Sequence, residues 1–203
     1  MHPDSGYDGS AVDGRAYLDV VGLAHRAPGP FDTLIAAWSA YGLGLFALLM
    51  LAAWWRARRA GHPRVVMALA VPPITLLAFG VDDLLKLAVR EDRPCRTLGV
   101  ATLEACPAPG DWSFPSNHAA LAAAAACALL LVSRRLGAVA LVAAALMAAS
   151  RVWVGVHYPH DVLAGCLVGA LVALAVGSAV RRRQNALAGR LASGPLRPLL
   201  TAA

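Results

Sequence analysis

The chain has 203 residues, 59% of them hydrophobic, with a mean hydropathy of +0.60 and a formal net charge of +6. This is enough for one domain or at most two small ones, and it is too apolar for a soluble protein, so the composition is that of an integral membrane protein. Nucleic acid is a poor partner for the pI of 9.7, because the cations are grouped between long apolar runs: Arg56, Arg58, Arg59 and Arg64, then Arg134 and Arg135, then Arg181 to Arg183. Such clusters read as cytoplasmic loops.

In chain order, the first thirty residues hold Asp4, Asp8, Asp13 and Asp19 with no early basic region, unlike a cleaved signal peptide. Residues 11–27 are too polar to span, with Asp13, Arg15, Asp19, His25 and Arg26 among them, and an interfacial helix is expected there. A first span is predicted over residues 33–55, ending at the interfacial pair Trp54-Trp55. A second begins near Val65, carries Pro72-Pro73, which should kink it, and ends in Asp82, Asp83 and Lys86. Residues 90–115, with Pro94, Pro107, Pro109 and Gly110, form the longest loop between spans. Cys95 and Cys106 lie in that loop and can pair if it faces an oxidising compartment; the alternative is two free thiols. Cys127 and Cys166 fall in apolar runs and read as packing residues.

Spans three and four, 116–132 and 136–153, are rich in Ala and should lie at the centre of the bundle, where small side chains let helices approach. The fifth, 161–180, has Gly165 and Gly169 at GxxxG spacing, suited to packing within the chain or to a homodimer. The expectation is an all-α transmembrane bundle of about five spans. An extracytoplasmic or interfacial segment (1–30) precedes the membrane domain (31–183), and a cytoplasmic tail (184–203) follows it. Eleven arginines in one set of loops against six in the other put the N-terminus outside and the C-terminus inside. The loop at 90–115 and the turn at 157–161 then share the outer face.

Three clusters meet on that face. Lys86, Arg90 and Arg93 would share one side of a helix until Pro94 ends it, and Asp82 and Asp83 are within a turn of Lys86. Ser116 is a natural N-cap for the run that follows Phe114-Pro115, and a helix start with free N–H groups binds anions, with Asn117 and His118 in the first turn. The third cluster is Ser150-Arg151 with His157 and Asp161. Pro159 suits a first helical turn, Asp161 is placed to orient the imidazole of His157, and Arg151 offers a fork for phosphate oxygens. Together they read as phosphoryl transfer: cations and backbone donors for the phosphoryl oxygens, a nucleophile on one side, an acid on the other. A metal reading through His157, His160 and Asp161, with or without His118, is disfavoured, because several cations converge on the same place.

Lys86-x6-Arg93-Pro94, Pro115-Ser116-Asn117-His118 and Ser150-Arg151-x5-His157-x3-Asp161 resemble the three-part signature of the type 2 phosphatidic acid phosphatase (PAP2) superfamily. Order, spacing and position at span ends match over residues 65–180, with Asn117 standing where the common form has Gly. The resemblance implies a metal-independent phosphatase without cofactor. It makes His157 the nucleophile that forms a phosphohistidine, Asp161 its orienting group and His118 the acid for the leaving oxygen. Lys86, Arg93, Ser116, Asn117 and Arg151 hold the phosphoryl group. It further implies a lipid phosphate or pyrophosphate as substrate, in a bacterial-type inner membrane with an extracytoplasmic site. The reading leans to an undecaprenyl-type pyrophosphate. Phosphatidate, phosphatidylglycerophosphate, a phosphorylated polyprenyl sugar and phosphotransfer to another acceptor stay open, and a non-enzymatic anion carrier is the rival from another class.

Overall fold

The computed structural model describes residues 6–195 and 197–200; Asp4 and the end of the tail, 201–203, lie outside the described residues. Among the described residues eight α-helices follow one another: α1 (Ser10–Ala24), α2 (Gly29–Tyr41), α3 (Leu43–Ala57), α4 (His62–Val89), α5 (Pro94–Thr97), α6 (Asn117–Val132), α7 (Arg134–Trp153) and α8 (Pro159–Ala192). No strand forms among them, and an isolated bridge pairs Tyr7 with Glu91. α4, α7 and α8 are each long and apolar enough to cross a bilayer, and α2 with α3 passes as a fourth, bent unit. The chain is an all-α membrane bundle.

The first expected span is not one straight helix. α2 and α3 meet at Gly42 with a bend of 54°. A Cβ at that position would come within 2.5 Å of the Trp38 carbonyl oxygen and 2.8 Å of the Met147 side chain on α7, so the chain turns where only hydrogen fits. The second span forms as α4, which runs unbroken through Pro72 and Pro73, both on its exposed face. It stops at Arg90, which takes a left-handed conformation (φ 53°) and turns its guanidinium back to the Leu87 carbonyl. Lys86, Arg90 and Arg93 therefore do not form one helical stripe, and Arg90 is exposed.

α6 has 16 residues and would be about 24 Å long, short of the ~30 Å of hydrocarbon in a typical bilayer. It packs against α3, α4, α7 and α8, with eight of its alanines buried. The close fit to α8 is made by Gly165 and Gly169, whose added Cβ atoms would run into the Ser116 and Ala120 carbonyl oxygens. The GxxxG pair thus serves packing within the chain, where close backbone approach replaces the hydrophobic effect as the source of association.

At one end of the bundle the three basic segments meet. Ala57, Val65, Ala188 and Leu200 pack into one cluster there, and the Trp54 indole donates to the Leu199 carbonyl at 3.2 Å. None of the 12 acidic residues lies in 33–81, 112–160 or 162–203, so this end carries arginines without carboxylates. At the other end α1 docks on α7 and α8. Tyr17 is fully buried, donates to the Gly155 carbonyl at 2.8 Å and lies 5.5 Å from the Tyr158 ring. The helix expected over 11–27 is thus packed on the chain itself. Cys95 and Cys106 form a disulfide within the long loop, and Cys127 and Cys166 are free and half-buried.

Candidate active site

His157 lies between α7 and α8, outside the spanning helices, and is 2% exposed. Pro159 opens α8 and places Asp161 in its first turn, so the two side chains meet across four residues, Nδ1 to Oδ2, at 3.2 Å. An ionised carboxylate can only accept, which puts the ring proton on Nδ1 and leaves the Nε2 lone pair for a second partner. That partner is Arg93, whose Nη1 donates to Nε2 at 2.8 Å. Burial, then Arg93, Arg151, Lys86 and His118 in that order, hold the His157 imidazole well below its ordinary titration range. It is therefore neutral at neutral pH, with its Nε2 lone pair accepting from Arg93. The same series of charges shows that cations from all three motifs lie within electrostatic reach of His157.

Asp161 is fully buried, and its Oδ2 also accepts from the Tyr158 N–H at 2.8 Å and from Ser113 Oγ at 2.5 Å. Three donors on one oxygen fix the carboxylate and, through it, the ring plane. Arg93 is fixed as well: Nε and Nη2 donate to the Asp111 carbonyl (3.0 Å) and carboxylate (2.8 Å), and Nη1 to the Val156 carbonyl (3.0 Å). Lys86 donates to the carbonyls of Trp112 and Ser113 at 2.8 and 3.2 Å. It is not hydrogen-bonded to Asp82, whose buried oxygens have no partner among the described residues. Nη1 of Arg151 binds Glu104 Oε2 at 3.1 Å and the Ser39 hydroxyl, which leaves its Nε buried without a partner.

Ser116 occupies the N-cap position of α6, but its hydroxyl does not cap the helix. The buried Oγ has no hydrogen bond, and the first N–H groups of α6 have no acceptor further back in the helix. A free hydroxyl, a free guanidinium Nε and a helix N-terminus are the donors that an anion would satisfy. His118 is in the first turn of α6, half-buried. The Asn117 amide nitrogen reaches Asp83 at 3.5 Å, so the side chain that replaces the usual glycine leans toward α4.

His160 and His157 lie on opposite oxygens of Asp161. His160 Nε2 faces Oδ1 at 3.4 Å, while its ring also meets Asp13 and Glu91. The arrangement His157–His160–Asp161 around one metal ion is thus not formed. Ser113, Asp111, Glu104, Ser39, Glu91 and Asp13 carry the site from behind, and none was singled out for that from the sequence. Ser113, Asp111, Glu104 and Glu91 come from loop segments that have no periodicity to read, while Asp13 in α1 and Ser39 in α2 find their partners far along the chain, Ser39 112 residues from the arginine it binds.

The sequence profile of the PAP2 superfamily matches residues 68–185, more than half of the chain. The chain belongs to the PAP2 superfamily. The matched stretch contains Lys86, Arg93, Ser116, His118, Arg151, His157 and Asp161, the residues on which the resemblance was drawn. Among its relatives, undecaprenyl-diphosphatase BcrC of Bacillus subtilis is 34% identical over 152 residues, 74% of this chain and 75% of that protein. Decaprenylphosphoryl-5-phosphoribose phosphatase of Mycobacterium tuberculosis is 38% identical over 111 residues, 54% of this chain and 59% of the relative. In three dimensions the chain is similar to Aquifex aeolicus LpxE, with a TM-score of 0.59 and 21% identity, over 88% of this chain and 99% of the other. It is also similar to a transmembrane PAP2-type phosphatidylglycerolphosphate phosphatase from Bacillus subtilis, TM-score 0.54 and 21% identity, over 83% and 86%. These likenesses show a PAP2 fold.

Proposed function

We propose that the chain removes the terminal phosphate of a polyprenyl diphosphate of the undecaprenyl type, through a phosphohistidine on His157. The observation that carries this is a neutral, oriented imidazole whose Nε2 lone pair points into a cage of cations with unused buried donors at Ser116 Oγ and Arg151 Nε. Arg93 Nη1 passes from Nε2 to a phosphoryl oxygen, Nε2 attacks the terminal phosphorus, the bond from phosphorus to the bridging oxygen breaks, and His118, protonated as the anionic diphosphate enters, gives that proton to the departing lipid phosphate. Asp161 stabilises the charge on the ring. Water, losing a proton to His118, then attacks phosphorus, the N–P bond breaks and orthophosphate leaves. Lys86, Arg93, Arg151, Ser116 and the α6 N-terminus near Asn117 hold the three phosphoryl oxygens throughout.

The lipid class is drawn from the relatives, whose names specify polyprenyl carriers. A phosphorylated polyprenyl sugar is the second reading, favoured by the relative from Mycobacterium tuberculosis. In our reading the membrane is a bacterial-type inner membrane, crossed five times with α6 as the shortest crossing. The site faces outward, in accord with the carboxylate-free arginine end opposite it and with a disulfide in the long loop. Residues 1–30 form the outer segment, 31–183 the membrane domain and 184–203 the inner tail.

Purified protein in detergent should release orthophosphate from undecaprenyl diphosphate faster than from phosphatidate or phosphatidylglycerophosphate. Acid-stable peptide mapping after incubation with radiolabelled diphosphate is inappropriate for a phosphoramidate, so trapping under alkaline quench should place the label on His157. Label on another residue, or turnover by His157→Ala near the wild-type rate, would overturn the mechanism.

A further inference from the structure

His160 follows the nucleophile by three residues but takes no part in the chemistry above. Asp13 of α1 clamps it on one side, Oδ2 accepting from its backbone N–H at 2.7 Å and Oδ1 facing Nδ1 at 2.7 Å. On the other side Nε2 meets both oxygens of Glu91, at 3.0 and 3.2 Å, and Asp161 Oδ1 at 3.4 Å. Both ring nitrogens address carboxylates, so both donate, and the ring is an imidazolium. Glu91 is 2% exposed and Asp161 fully buried. Glu91, His160 and Asp161 each bring an atom within 4.8 Å of the other two. Without the ring, two buried acids would face one another.

We infer that His160 is a positioning residue: it is the counter-charge that lets Asp161 remain a carboxylate beside Glu91, and the N-terminal segment holds it in that place. The inference rests on the role of Asp161 proposed above. The N-terminal segment is built tightly over the cluster. A Cβ at Gly9 would meet the Glu91 carboxylate and come within 3.1 Å of the His160 ring, and Tyr7 bridges to the backbone at Glu91. The His160 ring also stacks on Tyr158 at 5.3 Å. The charged and titratable groups around it are Asp8 and Asp13 from the N-terminal segment, Glu91 from the stretch after α4, and His157, Tyr158 and Asp161 at the start of α8. Arg93, Lys86 and Arg151 lie beyond His157. The cations thus serve His157 and the phosphoryl group, and His160 is the cation on the other side of Asp161.

Replacing His160 by glutamine leaves a polar ring-sized group without charge. Two carboxylates at this separation share one proton, and when it sits on Asp161 Oδ1 the residue loses the charge that stabilises the His157 ring as it takes phosphorus, although Oδ2 still accepts from Nδ1. In His160→Gln the acidic limb of kcat against pH should move up by about two pH units, the scale set by two like charges within 5 Å at an effective dielectric constant near 20. At pH 7 kcat falls at least tenfold, at pH 9 it returns to within about threefold of wild type, and KM changes little. His160→Gln/Glu91→Gln, which removes the repulsion, should restore the wild-type profile. Asp13→Asn, which keeps the ring and loosens its clamp, should shift the limb in the same direction by less.

A merely structural role predicts a loss equal at all pH values, and that result overturns the inference, as does failure of the double variant to restore activity when its thermal stability matches wild type. Loss of wild-type activity on chelation, restored by zinc, would also overturn it, because a metal on Glu91, His160 and Asp161 would then supply the charge. Trapping of label on His157 is independent of these profiles. Failure of the trapping sinks the proposed chemistry, whereas normal trapping with an unmoved limb sinks only the role of His160.

Discussion

Asp161→Asn tests how much of the rate comes from a single buried charge. In the wild type Oδ2 stands 3.2 Å from Nδ1 of His157. When the ring takes phosphorus it becomes cationic, and the pair gains about 332/(20 × 3.2), or roughly 5 kcal/mol, with an effective dielectric constant of 20. Little of this is present while the ring is neutral, so most of it acts on the barrier. That is between three and four powers of ten in kcat, by about 1.4 kcal/mol per tenfold. The amide oxygen can take the place of Oδ2 and keep the bonds from Tyr158 N–H and Ser113 Oγ, so the fold and phosphate cage survive. The assay is orthophosphate release from the lipid diphosphate in detergent, with orthovanadate binding measured by titration calorimetry on the same protein. The expected result is a rate down by 10³ to 10⁴ with vanadate affinity within a few fold of wild type. A rate within tenfold of wild type would refute the assignment of charge stabilisation to Asp161.

The remaining predictions concern other supports of the site. Glu104→Gln removes the carboxylate behind Arg151, itself 27% exposed, and should raise KM and lower kcat/KM by roughly tenfold; unchanged kinetics would mean that Arg151 is held without it. His157 is held neutral by burial and neighbouring cations, while in the unfolded chain it takes a proton below about pH 6.5. Its contribution to stability is therefore complete above that pH and lost as pH falls below it, so Tm should drop from pH 7 to pH 5, and less steeply in His157→Gln. Gly165→Ala forces a Cβ onto the Ser116 backbone and should cost about 1–3 kcal/mol in stability with a disproportionate loss of kcat, measured by thermal melts and phosphate release. Impermeant thiol reagents should label Cys95 and Cys106 on intact cells only after reduction, and labelling confined to lysed cells would contradict the outward-facing site.

The parts of the fold that were legible in the sequence are those fixed over short range. The start of α6 at Asn117, the start of α8 at Pro159, the loop between α4 and α6 and the pairing of His157 with Asp161 all follow from neighbours within four residues. The bend at Gly42 was not legible, because apolar residues continue through it and the atoms that leave no room for a side chain there include Met147 on another helix. Arg90 fits a helical stripe by number, but the helix ends at Val89. Ser39, Glu104 and Ser113 looked like ordinary loop or span residues, since their roles come from contacts 44 or more positions away. His160 carried a signal, its place three residues after His157, but not its partners: Asp13 is 147 residues distant.

The contact of α6 with α8 through Gly165 and Gly169 has a bearing on how such a site can diversify. The proposed nucleophile His157 and Asp161 lie at the start of α8, His118 and the turn at Ser116 at the start of α6, and the two helices touch backbone to backbone just below. A wall made of main-chain atoms cannot be retuned by swapping side chains, so the spacing of the reacting groups is set once and tolerates no gradual adjustment. Variation that redirects the enzyme to another lipid headgroup has to enter through segments lying above that wall, the stretch from Glu91 to Phe114 and the N-terminal helix. Libraries built for altered specificity are better aimed there than at the bundle interior.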